Sequence, residues 1–185
     1  MSADAFLREA GDADAAGLEA LSASLGELPP EAAGRARLLS GAVLADRFAR
    51  FAQGVAELLD VSVDKAKQIL ELVDKPETFS QELPNVSFCW VEGGPSVQDA
   101  VRGFVRVQAG TEFPQHEHFG PERVLILQGS YVDSVTGEVF RPGDIATMSA
   151  GSSHGFQVPA GGPDLLKLAV VTNGLRAGDK RYEPR

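Results

Sequence analysis

The sequence is poor in cysteine and histidine, with one cysteine and three histidines among 185 residues. A single cysteine excludes an intrachain disulfide. Cys89 lies between Phe88 and Trp90 in a segment of strand-like composition. We therefore expect a buried thiol that packs as a small apolar side chain.

Long apolar segments are also missing. The apolar runs at residues 124–127 and 168–171 are far too short to cross a bilayer. The first residues have neither the basic region nor the apolar core of a secretory signal. We therefore expect a cytoplasmic protein without a membrane partner.

Basic charge is scarce, since 17 lysines and arginines stand against 26 acidic residues. Residues 1–80 carry 14 acidic and 8 basic side chains, a net charge of −6. An acidic surface repels the phosphate backbone of nucleic acids. Residues 55–70 have the apolar spacing of a helix-turn-helix, but their basic side chains alternate with acidic ones. A recognition helix needs basic or amide side chains that reach the bases, so we predict no nucleic acid partner.

The first 80 residues have the apolar spacing of helices. Between residues 35 and 60 apolar side chains recur at steps of three and four, which predicts one long amphipathic helix. The stripe consists of Leu44, Phe48, Phe51, Val55 and Leu58. Ser62 is a suitable N-cap for a second helix that runs to about Val73. We predict an α-helical region over residues 1–80, packed on the rest of the chain or on a partner.

From about residue 86 the apolar period changes to two, which is typical of strands. We predict eight strands, near residues 86–92, 101–108, 113–118, 122–128, 130–135, 144–148, 154–158 and 165–171. Glycine and proline separate them, as expected for a β-sandwich or barrel. The predicted barrel covers residues 81–175, and residues 176–185 are predicted to form a polar surface tail.

All three histidines fall in one pattern that suits a metal ion. His116 and His118 are two positions apart, so on a strand they point to the same face. Glu122 follows a Phe-Gly-Pro turn that can return it toward that face, and His154 lies in a later predicted strand. Without a cation this cluster would leave several polar groups unsatisfied in an apolar interior. We predict one divalent ion, Zn, Fe, Mn or Ni, because such ions accept mixed nitrogen and oxygen ligands.

The spacing of these residues resembles the cupin family. Its first motif, G-x5-H-x-H-x3-E-x6-G, is met at every fixed position from Gly110 to Gly129. Its second motif is met at Gly143, Gly151 and His154, but it fails at two positions, where Ser149 replaces proline and Val158 replaces asparagine. The resemblance implies a mainly β cupin fold, a double-stranded β-helix or jelly roll, with the metal inside and the α-helical region before it.

Within the cupins the chain is most similar to the cupin-like C-terminal domain of ChrR-type anti-sigma factors. The carrying residues are the helical stretch 46–74, the segment 110–122, Leu127-Gln-Gly-Ser130 and Pro142-Gly-Asp144. The zinc-binding N-terminal head of that family needs His and Cys ligands. This sequence has no histidine before position 116 and no cysteine before position 89, so the resemblance does not extend to that head.

Two functions remain open at this point. The first is a sensor or regulatory module in stress-responsive transcription control, with a regulatory protein as partner through the helical region. The second is a small mononuclear dioxygenase for an anionic substrate, using the same ligands. Whether the chain is an enzyme is undecided, because one fold supports many functions. With every histidine assigned to the metal, a hydrolase triad is excluded.

The barrel is also expected to hold a small-molecule ligand, and the protein is expected to form a homodimer. Arg102 and Arg106 share one face of a predicted strand, and valines share the other, which is the better core face. Arg106 and Gln128 are the candidates for orienting an anionic substrate, since arginine binds carboxylates in a bidentate manner.

Overall fold

A computed structural model of the protein describes residues 47–184, so the first part of the predicted long helix lies outside the described residues. Two α-helices follow, α1 (Ala52–Leu59) and α2 (Val63–Leu70). Asp60 ends α1 in the left-handed conformation with φ 56°. Ser62 caps α2, because its side chain accepts a hydrogen bond from the Lys65 amide at 3.2 Å. The predicted N-cap is therefore present. Within residues 47–184 no helix is long and apolar enough to span a membrane.

The prediction of one continuous helix up to residue 60 is wrong for residues 47–51. A turn there leads into a 3-10 helix at Ala49–Phe51 before α1 begins. Side chains three apart eclipse in a 3-10 helix, and this geometry buries both Phe48 and Phe51. The second helix also changes to 3-10 geometry, at Glu71–Asp74, which keeps Val73 buried.

The rest of the described chain is mainly β. The strands are β1 (Ser80–Leu83), β2 (Val86–Trp90), β3 (Ala100–Val107), β4 (Glu112–His118), β5 (Glu122–Gln128), β6 (Tyr131–Asp133), β7 (Val139–Phe140), β8 (Ile145–Met148), β9 (Ser153–Gln157), β10 (Leu165–Thr172), β11 (Leu175–Ala177) and β12 (Lys180–Tyr182).

These strands form two six-stranded sheets, which we name sheet A and sheet B. Sheet A has the order β1-β2-β3-β10-β5-β8, and sheet B has the order β12-β11-β4-β9-β6-β7. The strand pairs are antiparallel. Two antiparallel sheets enclosing a common core are the arrangement of a jelly roll, so the predicted cupin fold is confirmed.

Sheet A is covered on both faces. On β10, Leu166, Leu168 and Val170 belong to the apolar cluster that includes α1 and α2. Lys167 and Ala169 alternate with them and face the interior between the sheets. The central strand of sheet A therefore connects the helical pair on its outer face with the barrel interior on its inner face.

The C-terminal strands close one end of sheet B. β11 pairs with β4, and β12 pairs with β11. Tyr182 on β12 is buried, and its ring stacks on Phe88 of sheet A with centroids 5.6 Å apart. The sequence suggested only a polar surface tail here. The domain division at residues 80 and 175 stays a prediction.

Candidate metal centre

The four predicted ligand residues come together between the two sheets. His116 and His118 lie on β4, His154 on β9, and Glu122 begins β5 on the opposite sheet. His116 and His154 are direct partners in the register of sheet B. All four side chains are buried, and one ligand atom from each lies within 4.8 Å of the others. The arrangement can hold a single metal ion with three nitrogen ligands and one oxygen ligand.

A tight turn returns Glu122 to the histidines. The turn passes through Gly120, where a β-carbon would lie 2.3 Å from the carbonyl oxygen of Thr172. Only glycine permits such a close approach of two backbone segments. Glu117, between the two histidines of β4, points outward and pairs with Arg176 at 2.6 Å. The strand therefore separates the inward ligands from the outward charge, as its period requires.

Hydrogen bonds on the outer ring nitrogens fix the tautomers of the β4 histidines. His116 Nδ1 lies 3.1 Å from the carbonyl oxygen of Pro114, which can only accept. His118 Nδ1 lies 3.1 Å from Ser152 Oγ. That hydroxyl donates its own proton to the Ser149 carbonyl at 2.6 Å, so it accepts from the imidazole. In both residues Nδ1 carries the proton, and Nε2 keeps a lone pair.

The same logic applies to His154 through Asp133, which the sequence analysis did not identify. Asp133 Oδ2 lies 2.5 Å from His154 Nδ1. The other oxygen, Oδ1, accepts from the amides of Val135 and Thr136 and from the Thr136 hydroxyl. The carboxylate is thus locked by the turn after β6 and holds His154 in the Nδ1–H form. Such partners of metal-binding histidines set ring orientation and ligand basicity.

The inner atoms of the cluster have no conventional partner. Glu122 Oε2 lies 3.2 Å from His118 Nε2 and 3.8 Å from His154 Nε2. With both protons on Nδ1, these contacts place lone pairs opposite a carboxylate oxygen. These three buried atoms have no hydrogen bond within the described part of the chain. A cation satisfies all of them at once, so the residues fit a divalent metal ion.

The electrostatics of the cluster also favour a cation. Burial would raise the pKa of Glu122, but Lys167, His118 and His154 hold it well below its usual range. Burial opposes protonation of His154, yet Glu122 and Asp133 outweigh it and raise the pKa of this imidazole. Burial lowers the pKa of His116 to about 3, which keeps this ring neutral. The cluster therefore attracts positive charge to the point between Glu122 and His154.

We expect Asp133→Asn to weaken metal binding roughly 10- to 100-fold without unfolding the protein. Three donors surround Oδ1, so the asparagine oxygen takes that position and its NH2 group faces His154. The imidazole must then accept at Nδ1, and its proton moves to Nε2, where the metal would bind. Metal affinity measured by competition with a chromophoric chelator tests this.

Thr136→Val is the matched control, because it removes a hydrogen bond to the same carboxylate and leaves the contact with His154 in place. It should change the affinity by no more than a few-fold. An Asp133→Asn variant with the affinity of the unchanged protein would contradict the proposed positioning role.

The interior of the barrel has a cavity beside His116 and Glu122, and the two predicted substrate-orienting residues, Arg106 and Gln128, do not line it. The assignment of Arg106 to this cavity is therefore wrong. Its guanidinium stacks on Phe79, 4.3 Å from the ring centroid, and donates to the Val73 carbonyl at 2.7 Å. Gln128 donates to the Asp164 carbonyl at 3.1 Å. The helical segment before β1 covers the outer face of sheet A, and the arginine face of β3 packs under it. The opposite face of β3, with Val101 and Val105, lines the barrel interior, as predicted.

Lys167 is a buried cation that no sequence pattern predicts. Lys167 is 4% exposed and shares a cavity with His116 and Glu122. Burial lowers its pKa, and the Glu122 carboxylate partly offsets this effect. A single lysine in an apolar strand forms no recognisable sequence pattern. Lys167 is two residues before Ala169, so both side chains point to the same face of β10, which is the face toward the interior between the sheets.

A jelly roll with three histidines and one glutamate in its interior defines the protein as a cupin. Residues 78–162 match the family described as the ChrR cupin-like domain, so this part of the chain is a ChrR-type cupin domain. No curated protein matches the sequence.

Solved structures with similar folds come from several bacteria. The complex of Rhodobacter sphaeroides SigE with the anti-sigma ChrR matches with 25% identity and a TM-score of 0.45, over 50% of this chain and 47% of that chain. An RmlC-like cupin from Ralstonia eutropha matches with 26% identity and a TM-score of 0.49, over 57% and 68%. An acetylacetone dioxygenase from Acinetobacter johnsonii is 13% identical with a TM-score of 0.51, over 60% and 82%, and shares the fold. The match covers less than half of the chain in the ChrR complex.

Proposed function

We propose that the protein is a metal-binding regulatory module of the ChrR type. One divalent ion is held by His116, His118, Glu122 and His154, and the helical region meets a regulatory protein. The three histidines support this proposal, because a hydrogen bond holds the proton of each on Nδ1 and leaves an Nε2 lone pair beside the Glu122 carboxylate. A structural polar cluster would instead use these atoms in hydrogen bonds among themselves.

The packing of sheet A supports communication between the metal and the helices. Glu122 begins β5, and Leu125 and Leu127 of the same strand pack in the cluster with α1 and α2. A change in the position of Glu122 therefore acts on a strand that the helices contact directly. Coupling of this kind needs a differential contact with the partner in the two states.

Because the matched family is named after ChrR, an anti-sigma protein that forms a complex with SigE, a bacterial sigma factor is the first class of partner to test. The metal-loaded and the chelator-treated protein should bind such a factor from the same organism with affinities that differ by roughly 5- to 150-fold. The measurement is a titration followed by fluorescence anisotropy of the labelled sigma factor. Equal affinities in both states, or no binding to any of the organism's sigma factors, would contradict the regulatory proposal.

A dioxygenase is the alternative, and the cavity beside His116 and Glu122 favours it, because a substrate could reach the metal position there. The iron-loaded protein is therefore assayed for oxygen uptake with small thiols, keto acids and aromatic diols. The regulatory proposal expects no uptake above a free-iron control. Steady uptake with one of these compounds, together with stoichiometric iron in the purified protein, would favour the enzyme instead.

A further inference from the structure

Lys167 is a cation inside the barrel that the proposed metal site does not use. It is the third residue of β10, opposite Val105 on one neighbouring strand and Ile126 on the other. Its side chain therefore faces the space between the sheets, and it lines the same cavity as His116 and Glu122. Lysine is almost never fully buried without a partner, so its presence here needs an explanation.

The surroundings of the Lys167 ammonium are aromatic. Its nitrogen lies 4.4 Å from the ring centroid of Phe156 and 5.5 Å from that of Tyr131. None of the hydrogen bonds and ion pairs found within residues 47–184 includes this nitrogen. Ring faces stabilise a cation, but they accept no conventional hydrogen bond and leave the donors of the ammonium without acceptors.

The charges around Lys167 do not balance once a metal is bound. Among residues 47–184 the only carboxylate that lines the cavity is that of Glu122, whose Oε2 faces the histidine nitrogens. A divalent cation and an ammonium together carry three positive charges. Glu122 and the outer carboxylate of Asp133 supply two negative charges, and the three imidazoles are neutral ligands. A bound monoanion would complete the balance in a region of low dielectric, where an uncompensated charge is costly.

The shape of the cavity limits the size of that anion. Its volume is about 30 Å³, which is enough for roughly two or three water-sized groups. Away from the metal position its walls are apolar, with Phe88, Trp90, Val101 and Leu175 among them. The cavity therefore suits a compact charged head with, at most, a very short apolar tail.

We propose that Lys167 and the adjacent metal position bind a small monocarboxylate of the size of formate or acetate. The carboxylate accepts a hydrogen bond from the Lys167 ammonium and neutralises the excess positive charge of the loaded site. This inference rests on the proposed metal-binding function and names the ligand class of the same site. The fraction of protein with this anion bound would then depend on the concentration of the small carboxylate.

The test uses the whole protein loaded with Co²⁺, whose visible spectrum reports changes at the metal. Acetate should shift the spectrum saturably and raise the melting temperature by mass action. Acetamide, which has nearly the same shape without the charge, should do neither at the same concentration. Lys167→Met should weaken acetate binding roughly 10- to 100-fold, because a charge-assisted hydrogen bond is lost, and should retain one equivalent of cobalt.

Lys180→Met is the matched control. Lys180 also lies over an aromatic ring, that of Tyr182, but it is on β12, pairs with Glu82 and does not line the cavity. This variant should bind acetate like the unchanged protein. The comparison of acetate with acetamide requires no variant, so it remains valid even if Lys167→Met fails to fold.

The possible failures are distinguishable. If the protein takes up one equivalent of cobalt and acetate leaves the spectrum unchanged, the ligand proposal is wrong and the metal site stands. Equal responses to acetate and acetamide, or unchanged acetate affinity in Lys167→Met, also refute the role of Lys167. If no cobalt binds, the metal-binding function and this inference fail together.

Discussion

Replacing His118 with alanine should leave the protein with well below one equivalent of divalent metal and with a lower melting temperature. His118 is fully buried, its Nδ1 is held by Ser152, and its Nε2 lies 3.2 Å from Glu122 Oε2. Its loss leaves at most two imidazoles and one carboxylate for the ion. Bound metal stabilises the folded state by mass action, by about 4 kcal/mol when its free concentration is 1,000 times Kd. Elemental analysis and thermal unfolding measure the two effects.

The chelator-treated protein and a neighbouring variant separate metal loss from damage to the strand. The His118→Ala variant should unfold near the temperature of the chelator-treated protein, and adding metal should hardly raise it. Glu117→Ala changes the adjacent residue, which points outward to Arg176, and should keep full metal content. Its exposed ion pair is worth only about 0–1 kcal/mol. Full metal loading of His118→Ala would show that His118 is not a ligand.

The sequence predicts the inner part of this centre better than its surroundings. The spacing of His116, His118 and Glu122 already directs three groups from the two flanks of one turn toward a common face, because strand period and turn chemistry are local properties. Asp133 and Lys167 depend on which strands become neighbours. Asp133 meets His154 only because β6 pairs with β9, and no local pattern encodes that pairing.

The strands that a local sequence pattern encodes are predictable for the same reason. The prediction fails where contacts between distant parts of the chain determine whether a strand forms or what covers its face. The alternation of β3 and the apolar composition of β10, bounded by turn residues, predict these two long strands. The short strands β11 and β12 are stabilised mainly by β4 and by the aromatic stack of Tyr182 on Phe88. Arg106 was misassigned because an alternating strand does not reveal whether its polar face meets solvent, a cavity or, as here, a covering helical segment.

The largest effect on stability alone is expected for Phe104→Ala. Phe104 is fully buried on the outer face of sheet A, opposite Leu168 and Cys89 in the register, within the cluster that includes α1 and α2. Removing its ring leaves a cavity between sheet A and the helices α1 and α2, which the neighbouring side chains can fill only in part. The free energy of unfolding should fall by about 3–5 kcal/mol, as measured by urea denaturation of the metal-loaded protein.

The metal content of folded Phe104→Ala should stay at one equivalent, because the ring lies on the outer face of sheet A and the ligands lie on its inner side, between the two sheets. Val135→Ala is the control, since this side chain is 68% exposed and its truncation should change stability by no more than about 0.5 kcal/mol. If the helices and the barrel unfold together, fluorescence and circular dichroism will report one transition at the same urea concentration. A loss below about 1 kcal/mol for Phe104→Ala would mean that the helical pair contributes little to the barrel. Sheet A could then not transmit a change at Glu122 to a partner through those helices.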